Sequence, residues 1–369
     1  MAMWLFVIIL IFTFTLQAII PYYIRETEVF GIRIPEEYVH DERIVQLKKR
    51  YTLLLLLLEV VFIGAYLLAN VILEWNEASQ SFWGASSLFV GMVVSLGLYV
   101  IHHQKVRAWK QKENWASGRR VKKVIDTSFR HRLELIPSYF YVIPMIFSIA
   151  IGVLLLVKYD ELPNSIPVHW GPTGEVDGFA NKRIATVISL PVSLLFIQGL
   201  LWFFRLSLAK SGANLQVRAK KRSLEQQLAF RKFTSWLLLF ISIAITVLLG
   251  YAQLSILYPD FGTAKGMMIL SVLFVMGILG AVLIYTLKVG QSGSRYTTME
   301  DEEVGDTSTD SLEDHHWKYG LFYVNKNDPS IVVEKRFGIG WTLNFGQPFA
   351  WGIVFVFIVF MIFIGFTTK

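Results

Sequence analysis

The chain has 369 residues, 54% of them hydrophobic and only 17% charged. Its mean hydropathy is +0.49, a balance that excludes a soluble domain built around one core and is ordinary for a polytopic membrane protein. The formal charge is +7, and the absence of cysteine excludes disulfides and thiolate chemistry.

In chain order, runs of about 20 apolar residues, long enough to cross roughly 30 Å of hydrocarbon as a helix, fall at 2–20, 51–73, 82–102, 138–157, 184–204, 234–254, 266–287 and 348–366. This pattern predicts an all-α polytopic protein with about eight transmembrane helices. The first run has no basic residue ahead of it. Gln17-Ala18-Ile19-Ile20-Pro21-Tyr22-Tyr23 follows where a signal peptide would carry small residues for cleavage, so the run reads as a retained helix.

Lys and Arg set the expected orientation. Connections after the odd-numbered runs, at 21–50, 103–137, 205–233 and 288–347, hold 30 of the 35. Loops rich in these residues stay in the cytoplasm, so the expectation is a multi-pass membrane protein with both termini outside. The clusters Arg119-Arg120-Val121-Lys122-Lys123 and Lys220-Lys221-Arg222 read as contacts to anionic headgroups of the lipid bilayer, and no nucleic-acid partner is expected. Trp and Tyr near the ends of the runs, Tyr51 among them, read as interfacial belts.

The organisation divides into a three-helix region with basic loops (1–137), a helix-loop-helix unit (138–204), further membrane helices (205–290), an acidic linker (291–316), a β-hairpin module (317–347) and a last helix (348–369). Glu59 is the one acid deep in an apolar run, roughly 12 Å into its helix. It reads as an intramembrane proton relay or ion ligand, or as a carboxyl hydrogen-bonded to another helix. Gln17, Asn70, Gln198 and Gln253 are the candidate partners. The adjacent pairs His102-His103 and His315-His316 cannot face one metal from a helix and read as solvated ends.

Residues 162–183, LPNSIPVHWGPTGEVDGFANKR, form a polar insert between two apolar runs. Pro163, Pro167 and Pro172 exclude a regular helix. Gly171-Pro172-Thr173-Gly174 suits one tight turn and Asp177-Gly178 a second, so the segment is expected to fold as a compact outer knob. Pro167, His169, Trp170, Gly174, Glu175, Asp177 and Lys182 are its candidate recognition residues. They can serve an internal structural role, bind an extracytoplasmic peptide, or, more weakly, place His169, Glu175 and Asp177 around a metal; one His with two carboxylates lacks paired zinc spacing.

Leu162-Pro163, Ile166-Pro167-Val168-His169-Trp170, Gly174, Asp177-Gly178 and Lys182 resemble the signature of the bacterial membrane family named domain of unknown function 1648, whose members include SdpI-type immunity proteins. The resemblance covers about 138–204. It implies protection against a secreted peptide toxin outside and, in some members, recruitment of a cytoplasmic regulator. Phe30-Gly31-Ile32-Arg33-Ile34-Pro35 resembles a Gly-Ile-Arg element of SdpI-type chains but lies elsewhere relative to the insert, so no role is carried over. Eight runs and a long tail also exceed the compact SdpI-type layout.

Residues 291–314 gather Glu300, Asp301, Glu302, Glu303, Asp306, Asp310, Glu313 and Asp314 among Ser, Thr and Gly, an acidic linker able to meet basic loops or a basic partner. After it, Trp317, Gly320, Tyr323, Asn325, Arg336, Gly338, Gly340, Trp341 and Asn344 resemble a module that follows the first domain in many such proteins. From the residues, 320–325 and 330–334 read as strands of one hairpin turning at Asn327-Asp328-Pro329, and 336–341 as a Gly-loosened collar before the last helix. Metalloprotease, phosphate-loop and nucleophile-elbow patterns are missing. The expectation is a non-catalytic membrane protein of immunity or signalling type, without cofactor. The alternative is a transporter or channel component centred on Glu59.

Overall fold

The computed structural model describes residues 2–115, 127–212, 220–296 and 314–367. The basic cluster at 119–123 and most of the acidic linker lie outside the described residues.

Among the described residues eight helices are long and apolar enough to cross a membrane, and they fit a multi-pass membrane protein. α1 (Ala2–Tyr23), α2 (Glu42–Leu73) and α3 (Glu77–Lys112) pack on one another. α4 (Tyr139–Val157), α5 (Ile184–Lys210) and α6 (Lys220–Leu257) form a second trio. α7 (Ala264–Lys288) lies on α6 and touches α1, while α8 (Pro348–Thr367) lies on α5.

Three helices overrun their apolar segments. α2 starts at Glu42, capped by the Asp41 carboxylate, which accepts from the Arg43 N–H at 2.8 Å. α3 continues to Lys112, and α6 begins at Lys220. A hydropathy window finds only the lipid-length part of each. The extensions are amphipathic instead, burying Ile44, Leu47, Val106 and Phe230. They enter a layer of protein at the end carrying the α1–α2, α3–α4, α5–α6 and α7–α8 connections, called here the basic end.

Among the described residues three small antiparallel sheets build that layer. β1 (Glu28–Val29) pairs with β2 (Ile32–Arg33). A fourth sheet, of β3 (Ser165–Trp170) and β4 (Val176–Asn181), stands at the opposite end. Back at the basic end, β5 (Trp317–Lys318) pairs with β6 (Phe322–Tyr323), and β7 (Val332–Glu334) with β8 (Trp341–Leu343).

The module at 317–347 therefore holds two hairpins where the strand pattern suggested one. Tyr319 and Gly320 have φ of +54° and +69°, and the Leu321 N–H donates to Lys318 O at 3.1 Å, a tight turn within a three-residue loop, so β5 and β6 close on each other before 327–329 is reached. Residues 327–329 link the hairpins, held by Asn325 Oδ1 on the Asn327 N–H and Asp328 Oδ1 on the Ser330 N–H, both at 2.9 Å. Residues 336–341 are no collar: they turn between β7 and β8, with the Lys335 N–H donating to Gly340 O at 3.0 Å.

Phe30-Gly31 makes a matching turn, at φ +46° and +75°. The two turns meet tip to tip. A Cβ on Gly31 would lie 2.7 Å from Gly320 Cα, and the Tyr99 hydroxyl sits 3.2 Å from Phe30 O and 2.9 Å from Tyr319 O. The first hairpin thereby folds back over α2 and α3, which corrects two expectations. Tyr51 is buried edge-on against Phe30, not placed in an interfacial belt. His102 and His103 are also buried, with Nδ1 at 2.8 Å from Leu98 O and Phe30 O respectively.

Candidate functional site

At the end opposite the basic end, the insert is one bulged hairpin with a single turn, and not a knob with two. Gly171 N–H donates to Glu175 O at 2.8 Å and Gly174 N–H to Gly171 O at 2.9 Å. Asp177-Gly178 lies within β4. The register slips at His169, opposite Gly178, where a Cβ would come 2.7 Å from the His169 Cβ; the glycine serves the bulge. Pro167 is tolerated because each strand of a two-stranded sheet keeps a free edge.

The hairpin base is locked to the helices. Leu162 and Ile166 are buried among Ile151, Leu155, Val187 and Ile256, and Trp170 packs half-buried on the same cluster. Lys182 reaches back to Leu162 O at 2.8 Å, with its ammonium 4.8 Å from the centre of the Tyr159 ring. Lys182 and Trp170 thus hold the hairpin in place. His169, Glu175 and Asp177 remain exposed, together with Phe179, which is 57% exposed. His169 Nδ1 and Asp177 Oδ1 are 2.5 Å apart. Among the described residues no three His, Cys, Asp or Glu side chains are placed to hold a metal.

The tip rests on α7. Gly174 has φ +80°, and a Cβ there would stand 2.0 Å from Ala264 O and 2.6 Å from the Met268 amide nitrogen. Only glycine satisfies both the dihedral and the approach.

Residues 145–195 match a family described as a domain of unknown function (DUF1648), and residues 326–351 match a family of unknown function (DUF5808). The chain is similar to both families over those segments. No curated protein and no solved structure matches the chain. The DUF1648 segment runs from α4 through the whole hairpin into α5; the DUF5808 segment spans β7, β8 and the start of α8.

The DUF5808 segment is organised by Asn344, which is fully buried. Its Oδ1 accepts from the Asn325 and Gly346 N–H groups, both at 3.0 Å, and its Nδ2 donates to the carbonyls of Asn325, Asp328 and Ser330 at 2.9–3.1 Å. Tyr323 completes the frame, its hydroxyl 3.0 Å from both Asp328 Oδ2 and Asn325 Nδ2. Arg336 pairs with Asp314 and lies 5.4 Å from the centre of the Trp317 ring. Gly338 and Gly340 shape the β7–β8 turn, and Gly320 the β5–β6 turn. These roles all belong to the architecture of the module.

Next to that frame is a node that sequence reasoning missed. Arg231 of α6 is 0% exposed. Its guanidinium donates to Glu334 Oε1 at 3.1 Å, Gln227 Oε1 at 2.6 Å, Ser211 Oγ at 3.1 Å, Gly212 O at 2.8 Å and Leu208 O at 3.3 Å. The Trp341 ring covers it at 4.8 Å. Glu334 of β7 takes further hydrogen bonds from Ser292 at 2.6 Å and Gln227 at 3.0 Å. Burial pushes the Glu334 carboxyl up, but the Arg231 and Arg25 charges and these hydrogen bonds outweigh it and hold the group below the usual carboxylate range. Gln291 ties the node to the first helices, accepting from the Arg25 N–H at 2.9 Å and donating to Lys335 O at 2.5 Å.

Glu59 is half-buried, with its carboxylate 3.3 Å from the Thr15 hydroxyl of α1. None of the four expected amides meets it. Gln198 binds Ser148 and Thr246 within the second trio, Asn70 lies against the Met3 sulfur, and Gln253 donates to its own helix. Gln17 has no hydrogen bond to Glu59.

Proposed function

We propose that this chain is a non-catalytic sensor or immunity protein of the bacterial cytoplasmic membrane, with the hairpin facing outward to engage a secreted peptide or a comparable envelope stress. The basic end then faces a cytoplasmic regulator. The charge asymmetry of the connections supports that orientation. The exposed His169–Asp177 pair beside the exposed Phe179 ring offers a peptide one ionic and one apolar contact on a rigid frame.

One observation carries the reading. Gly174 seats the hairpin tip on the first turn of α7, and Ser292, just beyond the other end of that helix, binds Glu334 in the buried node. α5 and α6 make the same journey, from the hairpin base at Val187 and Ile256 to Ser211 and Arg231. In this reading the three packed helices are the path by which a displacement of the hairpin reaches the node. Such a relay needs a node with two arrangements, a part that we assign to the buried ion pair shared by α6, β7 and the α7 end.

The test is growth of a strain lacking the gene, complemented with wild-type or variant chains, under challenge by membrane-active secreted peptides. His169→Ala/Asp177→Ala and Phe179→Ala are each expected to lower the tolerated peptide concentration about tenfold, the equivalent of roughly 1.4 kcal/mol of recognition. Glu59→Gln is expected to leave it unchanged. Loss of protection with Glu59→Gln alone, while the hairpin variants stay normal, would overturn the proposal in favour of an ionisable transport centre.

A further inference from the structure

Beyond the last apolar turn of α3, a cleft of ≈ 610 Å³ opens between that helix and the β5 hairpin. His103, Arg107 and Lys110 fall on one face of α3 by their spacing, and Trp317 and Lys318 form the facing wall. The tip-to-tip contact of the Phe30-Gly31 and Tyr319-Gly320 turns on Tyr99 fixes the distance between the walls. The cleft is therefore built by the fold and is not a gap between loose side chains.

Its charge is one-sided. Among the described lining residues Asp314 is the one carboxylate, and Lys110, at 2.5 Å, and Arg336 already pair with it; the Arg33 N–H adds a contact at 3.4 Å. Arg107 and Lys318 are exposed, and among the described residues neither has an ion-pair partner. Cations from two distant parts of the chain thus converge on a concave surface, where walls of low dielectric focus their field. A solvated basic helix face would be convex and served by one element.

We propose that this cleft is a binding site for a phosphate ester, held by Arg107 and Lys318 with Lys110 behind them. A multiply charged anion matches the excess better than a single carboxylate would. The guanidinium of Arg107 supplies a planar fork for two phosphate oxygens and Lys318 a movable point charge. The flat face of Trp317 suits the organic part of the ester. Arg107 stands roughly 7.5 Å past residue 102 along the helix, so both a headgroup of the adjacent leaflet and a soluble phosphate ester reach it.

The test uses the full chain and two probes: inorganic pyrophosphate added to protein in neutral detergent, and phosphatidylcholine nanodiscs with or without phosphatidylglycerol. The readout is the melting temperature across each titration. Stabilisation by pyrophosphate alone identifies a soluble ester and stabilisation by phosphatidylglycerol alone a headgroup; either supports the site. Arg107→Gln/Lys318→Gln is expected to weaken the effective probe at least about tenfold, the scale of a lost charge-assisted hydrogen bond. Lys49→Gln/Lys105→Gln removes the same charge elsewhere at the basic end and is expected to retain binding. Equal loss in both double variants, or no stabilisation of the wild-type chain by either probe, would overturn the proposal.

Discussion

Glu334→Ala is expected to cost about 3–5 kcal/mol of stability, the toll of leaving one partner of a buried ion pair uncompensated. Arg231 has no exposure to water, and its five hydrogen-bonding contacts converge from α5, α6, β7 and the chain beyond α5. Removing the carboxylate strands a guanidinium among the Phe129 and Trp341 rings. A paired Arg231→Leu/Glu334→Leu chain is expected to recover much of the loss, because it removes both desolvated charges together. Thermal unfolding of the full chain in neutral detergent checks both results.

The same pair sets a pH dependence. Native Glu334 titrates below its ordinary value of 4.5, so the unfolded chain takes up this proton first as pH falls. The stabilisation it supplies is complete above the unfolded value and is lost as pH drops toward and through the lower native one. Melting temperatures of the wild-type chain are expected to fall on acidification through that window, and those of the double-leucine chain to fall less.

Gly174→Val is expected to destabilise the hairpin seat by about 2 kcal/mol or more. The left-handed dihedral alone costs a side chain roughly 1–2 kcal/mol, and the new Cβ would also run into Ala264 O at 2.0 Å. Gly338→Ala is the control. Its φ is +86°, yet the nearest atom to an added Cβ is 4.0 Å away, so only the dihedral cost remains. Limited proteolysis at 171–175, together with the melting temperature, separates the two: the valine chain is expected to be cut and the alanine chain to resist.

Hydropathy made the eight helices legible because each span must present an apolar surface to hydrocarbon. It could not reveal where α2, α3 and α6 continue, since their extensions bury one stripe and average to polar. Turn chemistry located the Gly171–Gly174 turn of the β3–β4 hairpin, but not the strands on either side of it. Asp177-Gly178 misled because a glycine that serves a bulge and one that serves a turn read alike until the opposite strand is known. His102 and His103 are a similar case: their burial depends on the Phe30 hairpin, which comes from another part of the chain. Arg231 and Glu334 lie 103 positions apart; Arg231 alone looks like a solvated charge near a helix end and Glu334 like the exposed end of a strand. Glu59 was visible as an isolated acid, but its partner Thr15 carries no charge to mark it.

The relay itself is tested most directly by amide hydrogen exchange across the whole chain, comparing wild type with Gly174→Ala in the same detergent. If α5, α6 and α7 carry a disturbance of the hairpin to the basic end, exchange should quicken not only at 165–181 but also at 289–294 and 331–345, around Ser292 and Glu334. Faster exchange confined to the hairpin and the first turn of α7, with the node as protected as in the wild-type chain, would contradict it.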